Sequence, residues 1–239
     1  MSGHSKWATI HRKKGLIDAQ RGKVFQKLAK EIMVAAKGGS PDPSENASLR
    51  LAVDKAKSAN MPKDNIENAI KKATGTQDGV NYENVRYEGY GPNGVAFMVD
   101  CLTDNRNRTA PAVRNAFSKS GGNLGTDGSV SYLFERKGVI VIDKSIDEDT
   151  IMMTALDNGA LDVIVNDDSY EIYTPANDFL KVKDSLEAIG VKEFITSEIT
   201  FVPNNTIELD DETSEKVIEL IDMLEDIDDV QNVYHNLSM

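Results

Sequence analysis

The chain has 239 residues, 40% of them hydrophobic, with 27 Lys+Arg against 39 Asp+Glu and a net charge of −12. That length and apolar content allow one large domain or two to three small ones, each with its own core, and exclude disorder throughout. A single Cys excludes an intramolecular disulfide and fits a reducing compartment. No apolar run approaches the roughly 18 residues that span a bilayer. The N-terminal Met-Ser-Gly-His-Ser-Lys-Trp runs into charge rather than an apolar stretch, so no secretory signal is expected and the chain reads as cytoplasmic. The charge is segregated: residues 1–75 hold 15 Lys+Arg against 7 Asp+Glu, while the remainder holds 12 against 32. A positive segment on a negative body points to a polyanionic partner, of which nucleic acid is the commonest.

Three helices are expected in the basic segment. The first runs from a cap near Asp18 to Gly38-Gly39, with Phe25, Leu28, Ile32 and Ala36 on one side and Lys23, Lys27, Lys30 and Lys37 on the other. The second follows Pro43-Ser44 and carries Leu49, Ala52, Val53 and Ala56. Pro62 opens the third, whose stripe is Ile66, Ala69, Ile70 and Ala73 and which ends at Gly75. The polar break Thr76-Gln77-Asp78-Gly79 marks a boundary, after which the hydrophobic period changes from helical to alternating.

Strands at Val85 to Tyr90 and Val95 to Leu102 flank Gly91-Pro92-Asn93-Gly94, a hairpin turn signal. Cys101 shares one strand face with Val95, Phe97 and Val99 and reads as a buried structural thiol rather than a nucleophile. A helix through Ala112, Val113, Ala116 and Phe117 ends at Gly121-Gly122. Gly121 to Gly128 lacks the Gly-Lys-Ser/Thr of a phosphate loop and reads as a plain loop before a strand at Ser129 to Glu135.

Residues 138–202 then repeat a pattern: strand 138–143, helix 148–158, strand 162–166, strand 170–173, helix 175–189 and strand 193–202. This β-α-β-β-α-β order predicts a ferredoxin-like unit. The tail adds a strand near 206–209, a helix through Val217, Leu220, Ile221 and Leu224, and a strand at 230–234. These are too few to fold alone, so they are expected to complete the sheet begun near residue 85. The expected fold is therefore α+β. It comprises a basic helical domain at 1–78, a discontinuous α/β domain at 79–134 and 201–239, and an inserted ferredoxin-like domain at 135–200.

Two clusters carry candidate chemistry. In the leader, His4, Lys6, Trp7, His11, Arg12, Lys13 and Lys14 interleave cations with the only Trp of the chain. Trp7 can stack on an unpaired base for about 1–3 kcal/mol while the cations neutralise phosphates. The bland alternative packs Trp7 on the helices and leaves the lysines solvated. Arg21, Lys23, Lys27 and Lys30 extend this surface along the first helix. In the second cluster, Asn107 or Thr109 caps a helix whose N–H groups face an anion, flanked by Arg106, Arg108 and Arg114. Its alternative pairs those arginines with surrounding carboxylates. The three histidines and one Cys have no metal-site spacing, and no catalytic constellation can be picked out, so neither cofactor nor enzymatic activity is expected. The acidic region at Asp210-Asp211-Glu212 and Asp222, Glu225, Asp226, Asp228 and Asp229 reads as a solvated helix face, or as a screen that turns nucleic acid away from the body or masks the arm.

Gly-His-Ser-Lys-Trp at 3–7, Arg-Gly-Lys at 21–23, Asn-Met-Pro at 60–62, Tyr-Glu-Gly-Tyr-Gly-Pro at 87–92, Thr-Asp-Asn-Arg-Asn-Arg-Thr at 103–109 and Gly-Gly-Asn-Leu-Gly-Thr-Asp-Gly-Ser-Val at 121–130 together resemble the YebC family. The similarity runs through essentially the whole chain. One departure is visible after Trp7, where the family's Ala-Asn-Ile-Lys-His-Arg-Lys is replaced by Ala-Thr-Ile-His-Arg-Lys-Lys, moving the His one place forward to His11. The resemblance implies a cytoplasmic, three-domain, non-enzymatic protein. Bacterial members are described as transcriptional regulators that bind DNA, and mitochondrial relatives as translational activators acting with mRNA or the ribosome. The partner is thus expected to be DNA, with mRNA or ribosomal RNA and the ribosome as the alternative, and no membrane or small-molecule substrate is expected. A three-helix basic domain without a strong helix-turn-helix signature contacts duplex DNA mainly through phosphates. A Trp-bearing arm suits splayed RNA bases.

Overall fold

The structure is a computed structural model and describes residues 21–75 and 81–238. The fold class is α+β: a helical N-terminal segment followed by two domains built on four-stranded sheets. Contacts divide the chain into two compact units. Among the described residues one contains 23–49, 64–75, 81–135 and 202–238, and the other contains Arg21, Gly22, Arg50–Lys63 and Arg136–Phe201. The helices of the N-terminal segment are thus apportioned between the two.

Helix α1 is Arg21–Lys37, α2 Ala47–Ser58 and α3 Lys63–Thr74. Of their expected apolar stripes, Leu28, Ile32, Ala36, Leu49, Ala52, Val53, Ala56, Ile66, Ala69 and Ala73 are buried, while Phe25 and Ile70 are half-buried. Asn46 is the hinge of the α1–α2 connection. Its amide donates to the carbonyls of Ala35 at 2.9 Å and Ser40 at 2.8 Å, and its Oδ1 accepts from Leu49 N–H at 3.1 Å, capping α2. At the far end of α2, Asn60 adopts φ 58°, letting the Met61 N–H reach the Ala56 carbonyl at 2.9 Å. Asn tolerates this left-handed cap, and Pro62 then forbids continuation.

In the first unit, β1 (Glu83–Tyr90) and β2 (Ala96–Thr103) form the expected hairpin, with Asn93 at φ 56° and Gly94 at φ 76° in its turn. After α4 (Arg106–Lys119) comes β3 (Asn123–Leu124), and after α7 (Asp211–Glu225) comes β8 (Val230–His235), giving the sheet order β3-β1-β2-β8. Helices α4 and α7 cover one face, where Val95, Phe97, Val99, Cys101, Val113, Phe117, Val217, Leu220 and Leu224 form one core. Cys101 is 2% exposed, and burial pushes its thiol up to about 12, which disfavours the reactive thiolate at neutral pH.

The second unit has β4 (Phe134–Asp143), α5 (Glu148–Asp157), β5 (Asp162–Val165), β6 (Ser169–Pro175), α6 (Phe179–Ala188) and β7 (Thr196–Pro203), with sheet order β5-β6-β4-β7. That order is the ferredoxin-like arrangement, placed in the chain between α4–β3 and α7–β8. Gly159 and Gly190, at φ 107° and 108°, end its two helices. Helix α2 joins this unit. Lys183 of α6, buried, donates to Asp54 at 3.1 Å and to Glu187 at 2.7 Å, while Arg50 pairs with Asp184.

Three expected boundaries are corrected. Ser129 to Leu133 is not strand, because the N–H groups of Val130 and Ser131 are taken by the Glu88 carboxylate at 2.8 Å each, leaving none for a ladder. Pro175 ends β6, paired with Lys137, so α6 begins only at Phe179. The strand expected near 206–209 shrinks to a single bridge between Ile207 and Leu237.

Gly89 is required by close backbone approach: a Cβ there would lie 2.5 Å from the Asn123 carbonyl and 3.0 Å from the Phe117 ring. Gly89→Ala is expected to lower stability by about 1–3 kcal/mol, read as a shifted urea midpoint with unchanged slope. Cys101 is expected to react with a thiol reagent only on unfolding, which a denaturant-resolved labelling curve checks.

Candidate nucleic-acid interface

The lysine face of α1 is regular because residues 23, 27 and 30 follow the i, i+4, i+7 repeat. In the structure that face meets the C-terminal end of α7. Lys23 Nζ lies 3.1 Å from Asp226 Oδ1, both largely exposed. Lys27 Nζ donates to the Glu225 carbonyl at 2.5 Å. Lys30 Nζ donates to the Asp228 carbonyl at 3.1 Å, lies 3.6 Å from Asp229 Oδ1, and sits 5.8 Å from the centre of the Tyr82 ring. The last turn of α7 contains no basic residue of its own and is crowded by Asp222, Glu225 and Asp226. A helix C-terminus disfavours anions. Burial, then the charges of Glu225 and Asp226, push the Asp222 carboxyl above its ordinary range. The three α1 lysines supply the missing cations, and two of them cap open carbonyls.

At α4 the structure places the expected cations among acids. Arg106 pairs with Glu83 at 2.8 Å. Arg108 makes a fork with Asp229, Nε to Oδ2 at 3.0 Å and Nη2 to Oδ1 at 2.8 Å, and also reaches Asp104 at 2.8 Å. The cap is Asn105, whose Oδ1 accepts from Arg108 N–H at 3.2 Å, rather than Asn107 or Thr109. Thr109 instead turns inward: its Oγ1 lies 2.8 Å from both Thr103 Oγ1 and Asp229 Oδ2, and donates to the latter. Arg114 is exposed and makes no ion pair among the described residues. Arg21 lies on the exposed start of α1. The other expected contacts, His4, Lys6, Trp7, His11, Arg12, Lys13 and Lys14, lie outside the described residues, as does the break at 76–79.

Asp229 is the residue that composition alone did not single out, since it is one acid in a run of them. Its side chain is 5% exposed. Burial alone would raise its pKa, but the hydrogen bonds from Arg108 and Thr109 and the charges of Arg108 and Lys30 hold it below the usual carboxylate range. Its carbonyl also accepts from Leu102 N–H at 2.8 Å. Glu88 is the second buried acid of this unit. It accepts from Gly128 at 3.1 Å and from Val130 and Ser131 at 2.8 Å each. These backbone bonds outweigh its burial and lower its pKa. The glycine-rich loop at 121–130 is thus wrapped on an internal carboxylate.

Residues 5–76 match the family described as the TACO1/YebC protein N-terminal domain, and residues 82–237 match the TACO1/YebC second and third domain. The chain belongs to the TACO1/YebC family. It is 58% identical to a protein of Geobacillus kaustophilus named "Probable transcriptional regulatory protein", over 99% of this chain and 97% of that one. A protein of the same name from Geobacter sulfurreducens is 54% identical over 100% of this chain and 96% of its own length. The crystal structure of a conserved hypothetical protein from Aquifex aeolicus has the same fold, with TM-score 0.80, 49% identity and coverage of 92% of this chain and 91% of that one. Two motifs that marked the TACO1/YebC resemblance now have a structural account. Thr103 to Thr109 supplies the partners of Asp229, and Tyr87 to Pro92 supplies Glu88 and the glycines beside it. Among the described residues no group of His, Cys, Asp and Glu could hold a metal ion, and no helix is long and apolar enough to cross a membrane.

Asp229 and Glu88 bind fewer protons folded than unfolded at mildly acidic pH, because their folded pKa values are depressed. Their stabilisation is therefore fully present above the unfolded value of about 4 and is lost as pH falls through the folded values. Asp229→Asn is expected to cost about 1–3 kcal/mol at neutral pH and to flatten the acid limb of the stability–pH curve. Glu88→Gln is expected to flatten the same limb. Urea melts between pH 7 and pH 3 measure both.

Proposed function

We propose that this TACO1/YebC protein is a regulator of gene expression that binds nucleic acid through the cations of its N-terminal segment and catalyses no reaction. The observation that carries this reading is the charge segregation, 15 Lys+Arg against 7 Asp+Glu in residues 1–75 on a chain of net charge −12. Such a chain offers phosphates an attractive N-terminal segment and a repulsive remainder, which favours binding through that segment. Exposed Lys71 and Lys72 on α3 add to the attractive end. The names borne by the relatives from Geobacillus and Geobacter favour DNA as the target. One feature favours RNA as the second reading: the only Trp stands within the cationic leader, where an indole suits unpaired bases better than a closed duplex.

Fluorescence anisotropy with labelled duplex DNA and single-stranded RNA, across a salt series, tests the proposal. The logarithm of the binding constant is expected to fall linearly with the logarithm of salt, by about 0.7 to 0.9 per contacted phosphate. Deleting residues 1–16 removes Lys6, Arg12, Lys13 and Lys14 and is expected to reduce that slope by about 3. Equal slopes for the intact and shortened chains would show that the leader contributes no phosphate contact. Tighter binding of the duplex supports transcriptional regulation, and tighter binding of the single strand supports action on RNA.

A further inference from the structure

Given the nucleic-acid reading above, we infer that the C-terminal end of α7 with the turn after it, residues 225–229, is a built-in competitor for the lysine face of α1, and that a phosphate backbone displaces its outer part. The contacts are of the kind phosphates would make. Carboxylate and carbonyl oxygens of Glu225, Asp226, Asp228 and Asp229 stand in a row against Lys23, Lys27 and Lys30. A helix C-terminus carries partial negative charge, so the row imitates a strand of anionic oxygens laid along a helix face.

The row is graded from outside to inside. At the outer end, Lys23 and Asp226 are 49% and 63% exposed, a pair that solvent and salt weaken readily. At the inner end, Lys30 and Asp229 are 19% and 5% exposed, and Asp229 is held by Arg108 and Thr109 as well. The inner contact is therefore the permanent pivot. Lys23 is the residue that exchanges partners, with Lys27 between them bound to a backbone carbonyl. Acids that turn nucleic acid away from the body thus also tax the first helix for binding it. Weak, non-specific polyanions are disfavoured, because only a ligand that makes other contacts as well repays the lost ion pair.

Zero-length carbodiimide coupling of the full chain, which joins touching amines and carboxylates, tests this directly. A Lys23–Asp226 crosslink is expected in the free protein by mass spectrometry, and its yield is expected to fall severalfold at saturation with whichever of the duplex DNA and single-stranded RNA binds more tightly. Asp226→Asn is expected to tighten that binding by up to about fivefold, the scale of one exposed ion pair. Glu215→Gln, the same charge change on an exposed position of the same helix, is expected to have a much smaller effect. A crosslink absent from the free protein, a crosslink unchanged at saturation, or equal effects of Asp226→Asn and Glu215→Gln would each overturn the competitor while leaving the binding intact. A chain that binds neither nucleic acid in the anisotropy assay, yet still forms the crosslink, would overturn the nucleic-acid reading itself.

Discussion

The buried carboxylate of Asp229 ties α4 and α1 to the turn that follows α7. It receives a fork from Arg108 and a hydroxyl from Thr109 on α4, and faces the ammonium of Lys30 on α1. Its backbone carbonyl accepts from Leu102 at the end of β2. An isolated charge at this depth would be strongly unfavourable, and it persists because the surrounding donors compensate the lost water. That requirement explains the composition of the segment 103–109. Thr103 and Asn105 shape the helix start, and Arg108 and Thr109 complete the carboxylate's shell.

The same logic, with signs reversed, recurs in the ferredoxin-like unit. There Lys183 is the buried ion, held by Asp54 from α2 and Glu187 from its own helix, with the Phe194 ring 5.2 Å away. Burial alone would lower its pKa; the two carboxylates reverse that and raise it. In each sheet-based unit, one desolvated charge is thus among the contacts that hold part of the N-terminal helical segment. Apolar stripes give these helices an interior face, but stripes of Ala, Leu and Ile are interchangeable in register. A buried ion pair adds a requirement for opposite charge at matched positions, which apolar stripes lack.

A functional consequence follows for the cations of the first helix. A lysine ridge read from a helical wheel looks like a free surface, and in part it is. Its inner members cap carbonyls and complete a buried charge cluster, which makes them structural first. The acidic C-terminal region is correspondingly more than a solvated face. Its oxygens are partners of the lysines on the helix that carries the ridge. The glycine-rich loop at 121–130, by contrast, is organised by Glu88 from within, and Gly122 and Gly125 allow its close packing against β1 and Ser129.

Much of this architecture was legible in local patterns. Helix stripes, the Gly-Pro-Asn-Gly hairpin and the ferredoxin-like repeat follow from periodicity and turn chemistry, which act over a few residues, whereas the return of the last strand to the first sheet was expected because the tail elements are too few to fold alone. Errors fell where distant groups intervened: Glu88 captured the N–H groups that a strand at 129–135 needed, and pairing with Lys137 kept Pro175 in β6. The candidate site divides in the same way. Its cationic character was set by the order of residues along the chain, because charge segregation is a sum over sequence. Which cations face solvent and which face Asp226, Asp229 or Glu83 was decided only by folding, since those partners lie far along the chain and no local rule couples them; the Arg108–Asp104 pair, at i,i+4, lay within reach of helical spacing.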